Sequence, residues 1–283
     1  MDWSGTCVSA ARGAVLRLAL GGTGPAVLFL HGIGGRGRQW LAVAGAMRVP
    51  ACAIVWDARG YGDSTGPGAE RFADFAEDLV RVLDALGVAR ALGVGHSMGG
   101  RILIEAALRW PDRFGALFLS GASAAWLPHL TAPEREAYLA RRMEMFDGDA
   151  VAPGKARAVA REILPPGVGT DVLDALADDF RALRREGYGA ALAASAGWDR
   201  RADLAALAMP CELLTGARDR ICPPAVVEAL ADAIAPERLT ILPGVAHMAQ
   251  LEAPALVADL VSRFVARNGA RASTLSASGL APA

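Results

Sequence analysis

The segment ALGVGHSMGGRILIEAALRW, residues 91–110, constrains the fold more strongly than any other part of the chain. An apolar run ends in glycines that surround Ser97, and a helical pattern starts at Met98. A strand that passes into a helix within so few residues turns sharply, and only small neighbours let that turn close. The segment therefore predicts a strand–turn–helix unit that exposes the Ser97 hydroxyl at the helix N-terminus, above the edge of a sheet.

Apolar runs and helical patterns alternate on both sides of this unit. The strand-like runs lie at 14–20, 26–30, 52–56, 91–95, 116–120, 211–216 and 238–243. Most of them are continuously apolar, which is typical of strands that are covered on both faces. The helical patterns lie at 72–87, 98–114, 224–234 and 251–267. This order predicts an α/β fold with a mostly parallel central sheet flanked by helices.

A block of charged amphipathic helices without a strand-like run occupies residues 124–205. We interpret this block as a helical cap inserted into the α/β core. The core then consists of residues 1–123 and 206–268. The small, polar segment 269–283 is expected to be a disordered tail.

Composition narrows the classes of function. The hydrophobic share of 53% supports a sizeable core, and the net charge of −1 gives no field that would attract nucleic acid or anionic lipid. No apolar run approaches the roughly 20 residues of a membrane span, and the N-terminus lacks a signal-peptide pattern. The four scattered cysteines favour reduced thiols. We therefore expect a cytoplasmic protein with a small-molecule substrate, and a homodimer stays open.

A serine hydroxyl needs a base to act as a nucleophile, and the base needs an orienting acid. Of the four histidines, His247 follows the last predicted strand and is best placed to reach over Ser97. Asp219 follows the strand at 211–216, where such an acid is expected. The alternative loop, after the strand at 116–120, carries no carboxylate. These positions predict a Ser97–His247–Asp219 triad.

Two backbone N–H groups are candidates for stabilising an oxyanion. One belongs to Met98, directly after the serine, and the other to Ile33, in the glycine-rich loop after the strand at 26–30. The same segment does not match a phosphate-binding loop, because it lacks the G-K-[ST] motif and does not begin a G-x-G-x-x-G unit. We therefore expect an oxyanion hole here, with His31 holding the loop in place.

Together, these motifs resemble the α/β-hydrolase fold superfamily over residues 1–268. HGIGG, WDARGYGDS, GHSMGG, GARDRICPP and GVAHMAQLEAP occur in the family's order and approximate spacing. The resemblance implies an α/β-hydrolase fold with an inserted cap, and structural roles for Asp57 and Arg59. The catalytic and oxyanion positions that it implies are Ser97 as nucleophile, Asp219 as acid, His247 as base, and Ile33 and Met98 as the oxyanion hole.

The sequence is most similar to capped bacterial serine hydrolases, a branch with 3-oxoadipate enol-lactonases, small-ester hydrolases and C–C hydrolases. Ser97 argues against haloalkane dehalogenases and epoxide hydrolases, which carry aspartate at this position. Met248 departs from the tryptophan that usually follows the histidine in C–C hydrolases. The resemblance thus implies hydrolysis of a small carboxylic ester or lactone through an acyl-enzyme, without metal or cofactor. Amide or C–C hydrolysis in a catabolic pathway, perhydrolysis and a non-catalytic ligand-binding role stay open.

The cap is expected to close the substrate pocket and to set substrate choice. The aromatic candidates for the pocket lining are Trp40, Trp126, Tyr188 and Trp198. Further cap candidates, which fit a packed helix core equally well, are Met143, Met145 and Phe146. One cap arginine could hold a substrate carboxylate, although solvated helix faces are the more ordinary explanation for Arg141, Arg142, Arg184 and Arg185.

Overall fold

A computed structural model describes residues 1–279 of the chain, and ten strands and ten α-helices lie among them. The strands are β1 Trp3–Ser9, β2 Val15–Leu30, β3 Ala51–Trp56, β4 Ala91–His96, β5 Phe114–Ser120, β6 Phe146–Asp147, β7 Ala150–Val151, β8 Cys211–Gly216, β9 Arg238–Leu242 and β10 Thr274–Ser276. The helices are α1 Leu41–Gly45, α2 Phe72–Ala85, α3 Met98–Arg109, α4 Ala132–Met143, α5 Lys155–Ile163, α6 Thr170–Arg181, α7 Arg185–Ala196, α8 Pro224–Ile234, α9 Ala249–Glu252 and α10 Pro254–Asn268. Among the described residues, no helix combines the length and apolar character that crossing a bilayer requires.

One eight-stranded sheet forms the centre of the molecule. Its path runs β1-β2-β4-β5-β8-β9, and β3 and β10 also pair with β2. The pairs from β2 through β4, β5 and β8 to β9 are parallel, whereas β1 and β10 run antiparallel to β2. This arrangement confirms the predicted α/β class with a mostly parallel sheet.

The long strand β2 contains both strands that were predicted at 14–20 and 26–30. Its first half pairs with β3 in the opposite direction, from Leu18 with Trp56 to Thr23 with Ala51. Its second half pairs with the same strand, and there the residue numbers rise together, from Ala26 with Cys52 onward. The strand β3 therefore lies between the two halves of β2, which fold back on each other.

Apolar side chains fill both faces of the sheet. Along β2, Leu28 and Leu30 pack into one core cluster, while Val27 and Phe29 pack into a second cluster that also contains residues of α10. Burial on both faces is the reason that the central strands are continuously apolar rather than alternating.

The loop after β3 is held by buried polar contacts. The guanidinium of Arg59 donates to both carboxylate oxygens of Asp78 on α2, at 2.6 and 2.5 Å, and both side chains are almost fully buried. Asp57 accepts hydrogen bonds from the N–H groups of Gly37 and Asp63. These contacts fix the path of the chain beneath the carboxyl edge of the sheet, as expected for structural residues.

The helices α4–α7 and the short hairpin β6–β7 all lie between β5 and β8 in the chain, within the predicted insertion 124–205. The division of the chain into core and cap domains at those bounds stays a prediction. The helix predicted at 251–267 is in fact two helices, α9 and α10, that are separated at Ala253. The break occurs because the residue before a proline, here Pro254, disfavours helical geometry.

The prediction of a disordered tail is wrong over residues 269–279. The strand β10 pairs with Thr23–Pro25, where β2 folds back, and Ala277 is buried. The backbone of Ser273 connects this segment to the sheet. Its carbonyl accepts from the N–H of Ala26 on β2, and its N–H donates to the carbonyl of Arg90, directly before β4. Where β2 folds back, it presents backbone groups that form hydrogen bonds with this polar segment. The composition of the segment does not reveal that such a partner exists. Residues 280–283 of the predicted tail lie outside the described residues.

Candidate active site

Ser97 lies between the end of β4 and the start of α3, in a backbone conformation that is rare for a residue with a side chain. Its φ is +50° and its ψ is −110°. Its N–H donates to the carbonyl of Ser120 at 2.8 Å, and its carbonyl accepts from the N–H of Arg101. These bonds to the neighbouring strand and to the helix hold the strained turn in place.

The glycines around Ser97 let α3 begin directly against the sheet. A Cβ added to Gly95 would lie 2.6 Å from the N atom of Gly100, and a Cβ on Gly99 would overlap the carbonyl of Leu30 on β2. No rotamer change relieves a clash with backbone atoms. The spacing G-x-S-x-G is therefore a steric requirement of this turn.

His247 and Asp219 form a buried hydrogen-bonded pair on the loops after β9 and β8. The Nδ1 atom of His247 lies 2.7 Å from Asp219 Oδ2, and the Asp219 side chain is fully buried. The other oxygen, Oδ1, accepts from the N–H groups of Ile221 and Cys222, both at 2.8 Å. With the Nδ1 proton donated to Asp219, the Nε2 atom of His247 is left as the acceptor nitrogen.

Ser97 and His247 line the same cavity. Within residues 1–279, the Ser97 hydroxyl makes no hydrogen bond, with His247 or with any other group. In unliganded sites, nucleophile–base contacts are often loose and tighten when substrate binds. The arrangement brings the predicted nucleophile, base and orienting acid to one edge of the sheet.

Two backbone N–H groups beside Ser97 have no acceptor in the described part of the chain. They belong to Ile33, in the loop after β2, and to Met98, the first residue of α3. His31 holds the first of these loops, because its Nδ1 lies 2.8 Å from Gly32 O and its Nε2 accepts from Ala58 N. Unpaired N–H groups at this position are suited to bind a developing oxyanion.

Most of the sequence matches a known family model. This model, described as the alpha/beta hydrolase fold, matches residues 25–254. The chain belongs to the alpha/beta hydrolase fold family. Membership confirms the predicted superfamily and the predicted enzyme class, a hydrolase.

This hydrolase is similar in sequence or in structure to several known proteins. A candidate carbamate hydrolase, RutD of Cronobacter turicensis, is 28% identical over 81% of this chain and 86% of its own length. The RutD protein of Cronobacter sakazakii is 35% identical, but the match spans only 45% of this chain and 47% of that relative. A hydrolase from Pseudomonas aeruginosa PA01 has a TM-score of 0.83 at 28% identity over 92% of this chain and 98% of its own. A thermophilic esterase from Thermogutta terrifontis, with malate bound, has a TM-score of 0.81 at 26% identity over 95% and 100%.

Two adjacent cavities of the hydrolase, the first and the second lobe, share Ser97 in their lining. The first lobe, with a volume of about 30 Å³, is lined by His247 and by residues of the inserted helices. The second lobe lies toward the loop after β5. The residues shared by both lobes are Ile33, Ser97, Tyr138 and Ile221.

Of the four aromatic residues predicted for the pocket, two line these lobes. Tyr188 lines the first lobe and Trp126 the second. The prediction for Trp40 is wrong, because its ring packs against Phe29 in the second core cluster and its Nε1 donates to a backbone carbonyl. The prediction for Trp198 is also wrong, because its Nε1 donates to the buried carboxylate of Glu105 at 2.9 Å and it lines neither lobe.

The four cap arginines lie in different surroundings in the structure. Only Arg142 lines the first lobe, with 2% of its surface exposed. Arg184 donates to the carbonyl of Ser64, while Arg141 and Arg185 are exposed. Sequence patterns could not make this distinction, since all four lie on amphipathic segments of similar composition.

Sequence reasoning missed two buried charged residues of this region, Arg101 and Asp179. Arg101 lines the second lobe, and Asp179 on α6 binds side chains from the loop after β2. The signal for Arg101 is its spacing, because residues four apart on a helix share a face and Arg101 follows Ser97 by four. For Asp179 no local signal exists, because its partners lie about 140 residues earlier in the chain.

Proposed function

We propose that this hydrolase cleaves a small carboxylic ester or lactone with Ser97, His247 and Asp219. The observation that carries the proposal is the buried Asp219–His247 hydrogen bond beside the cavity that contains Ser97. The strained conformation of Ser97 supports it, because such strain persists where function requires it. The free N–H groups of Ile33 and Met98 supply the remaining element of acyl transfer.

The reaction proceeds in two steps. The Ser97 Oγ attacks the substrate carbonyl while His247 Nε2 takes its proton, and Asp219 stabilises the imidazolium that results. The N–H groups of Ile33 and Met98 bind the oxyanion, each lowering the barrier by about 2.7–4 kcal/mol. His247 then protonates the leaving alkoxide. In the second step His247 deprotonates a water molecule, which attacks the acyl-enzyme, and it then returns the proton to the leaving Ser97 Oγ as the acid is released.

The ester assignment is supported by the likeness to the Thermogutta terrifontis esterase. A second candidate, cleavage of the C–N bond of an amide or carbamate, is supported by the similarity to the candidate carbamate hydrolases. Both reactions use the same nucleophile, base and oxyanion donors, and they differ in the leaving group that His247 protonates. The cytoplasmic location and the homodimer stay predictions beside this proposal.

Covalent labelling by a fluorophosphonate probe tests the nucleophile. We expect the wild-type protein to be labelled at Ser97 and the Ser97→Ala variant to be unlabelled, because the probe reacts with an activated serine. The control is Ser9→Ala, which changes an exposed serine at the end of β1 and should leave labelling intact. A folded wild-type protein that resists labelling would contradict the proposal and favour a non-catalytic ligand-binding role.

A turnover panel distinguishes the two bond types. The values of kcat/KM for short p-nitrophenyl esters, lactones, p-nitrophenyl carbamates and N-acyl compounds are compared in wild type and in Ser97→Ala. We expect esters or lactones to be the best substrates, with activity that depends on Ser97. Higher kcat/KM values for carbamates or N-acyl compounds would move the assignment to C–N hydrolysis.

A further inference from the structure

The second lobe contains a buried cation that has no counter-ion. Arg101 lies on α3, one turn after Ser97, and only 4% of its surface is exposed. Within residues 1–279 its guanidinium forms no ion pair and donates no hydrogen bond, and its Nη1 atom is completely buried without a partner. Buried arginines are normally paired, because an unpaired buried charge costs several kcal/mol.

Arg101 remains a cation in this environment. Burial lowers the pKa of Arg101 to about 10, which still leaves the guanidinium protonated at neutral pH. The rings of Phe72 and Trp198 lie 5.4 and 5.9 Å from its central carbon, contacts that partly stabilise the charge. Aromatic contacts of this kind leave the N–H donors in the plane of the guanidinium unused.

The buried carboxylates around this lobe are already bound by other groups. Glu105, one turn further along α3, accepts from Arg200 at 2.7 and 3.0 Å and from Trp198. Asp219 accepts from His247 and from two backbone N–H groups. The described part of the chain therefore supplies no anion to Arg101.

Arg142, the buried arginine of the first lobe, differs in this respect. Its Nη1 atom also makes no hydrogen bond, but it lies within ion-pair distance, 3.5 Å, of a carboxylate oxygen of Glu162, and its guanidinium lies over the ring of Tyr138. Of the two buried arginines that line the lobes, Arg101 is thus the one left without a countercharge.

We propose that Arg101 binds a carboxylate group of the substrate in the second lobe. The planar guanidinium donates in a fork that matches a carboxylate, and Arg101 and Ser97 both line the second lobe. The preferred substrates are then esters that carry a free carboxylate, such as monoesters of short dicarboxylic acids. This inference rests on the proposed role of Ser97 and adds the class of substrate.

Matched pairs of charged and neutral esters test the inference. Mono-p-nitrophenyl glutarate is compared with p-nitrophenyl hexanoate, and 4-acetoxybenzoate with phenyl acetate, so that the carboxylate lies on the acyl side or on the alcohol side. In the wild type we expect kcat/KM to favour the charged ester of at least one pair by about 10- to 100-fold, as for a hydrogen bond to a charged group. In Arg101→Met this ratio should fall to about one or below.

Two variants control for the change of charge. Arg109→Met removes an exposed arginine from the same helix, which pairs with Glu77, and should keep the wild-type ratio. Arg142→Met should also keep most of the preference for the charged ester. A ratio that collapses in Arg142→Met and not in Arg101→Met would overturn the assignment to Arg101.

Binding of glutarate gives a second readout, which does not need a folded Arg101→Met variant. Glutarate should raise the Tm of the wild type and inhibit it competitively, whereas the neutral glutaramide should do neither, and Arg101→Lys should weaken the effect. One outcome would overturn this inference alone: the wild type hydrolyses neutral esters, shows no preference for charged ones, and is neither stabilised nor inhibited by glutarate. A wild type that is neither labelled by fluorophosphonate nor active on any ester, yet is stabilised by glutarate, overturns the proposed function and leaves the anion site standing.

Discussion

At the scale of single residues, the backbone around Ser97 depends on positions that lack a side chain. The first turn of α3 approaches β2 so closely that a Cβ on Gly99 would overlap the carbonyl oxygen of Leu30. The neighbouring strand accepts the Ser97 N–H through Ser120, so the turn cannot simply move away from the sheet. Close packing of backbone on backbone therefore fixes where the hydroxyl points.

The variant Gly99→Ala tests this packing. We expect it to lower the free energy of unfolding by about 1–3 kcal/mol, the usual cost of overpacking, and to reduce ester hydrolysis because α3 shifts and Ser97 moves with it. Urea unfolding and kcat/KM measure the two effects. The matched control is Gly45→Ala on α1, which has open space around the added Cβ and should be stabilising by about 0.5–1 kcal/mol. Equal behaviour of the two variants would contradict the steric account.

At the scale of elements, one buried carboxylate joins the inserted helices to the loop that follows β2. Asp179 on α6 is 1% exposed and accepts from Arg36 Nε at 3.0 Å, from Arg38 Nε at 2.5 Å and from Gln39 Nε2 at 2.8 Å. The same loop contains Ile33, and Gln39 itself lines the first lobe. Helix α6 therefore positions a wall of the active site through polar contacts.

Replacement of Asp179 by alanine should loosen α6 over the cavity. We expect the free energy of unfolding to fall by about 2 kcal/mol, a value reduced by the partial exposure of the two arginines. Hydrogen exchange should become faster in α6 and in residues 36–40, and should be unchanged in β4. Asp178→Ala is the control, since Asp178 is half-exposed and pairs only with Arg181 on its own helix. Unchanged exchange in α6 of Asp179→Ala would rule out this role.

At the scale of the whole molecule, burial of neutral histidines makes stability depend on pH. Burial lowers the pKa values of His31 and His96, and the latter is lowered further by the neighbouring His247. The unfolded chain therefore binds protons at a higher pH than the folded chain does. The free energy of unfolding is at its full value above the usual histidine pKa of about 6.5 and is lost as the pH falls below it.

Between pH 7.5 and pH 5.5, His96, whose pKa lies well below the usual value, should remove about 1.4 kcal/mol from the free energy of unfolding, and His31 should act in the same direction. Glu252 acts in the opposite direction, because burial raises its pKa, so the comparison of variants is the decisive measurement. In His96→Phe, which keeps a buried ring and removes the titration, the loss over this pH range should be smaller by about 1.4 kcal/mol. Urea unfolding at both pH values measures it, and parallel pH profiles for variant and wild type would refute the assignment.

Much of the fold follows from local patterns. The strands β4, β5 and β8 are recognisable because burial on both faces leaves a continuous apolar run, and α8 matches its predicted bounds. β10 is not recognisable, because its polar residues are ordered only by the part of β2 that they contact. Trp40 and Trp198 show the same limit, since an aromatic side chain packs as well in a core as in a pocket.

The sequence by itself determined the α/β class, the order of the motifs and the steric need for glycines around Ser97, because these depend on residues close together in the chain. Only the tertiary structure decided which of the many arginines are buried and which of those lack a partner. It also decided that Asp179 meets the loop after β2. Burial and charge compensation depend on contacts between segments that are far apart in the chain, so local sequence patterns do not predict them.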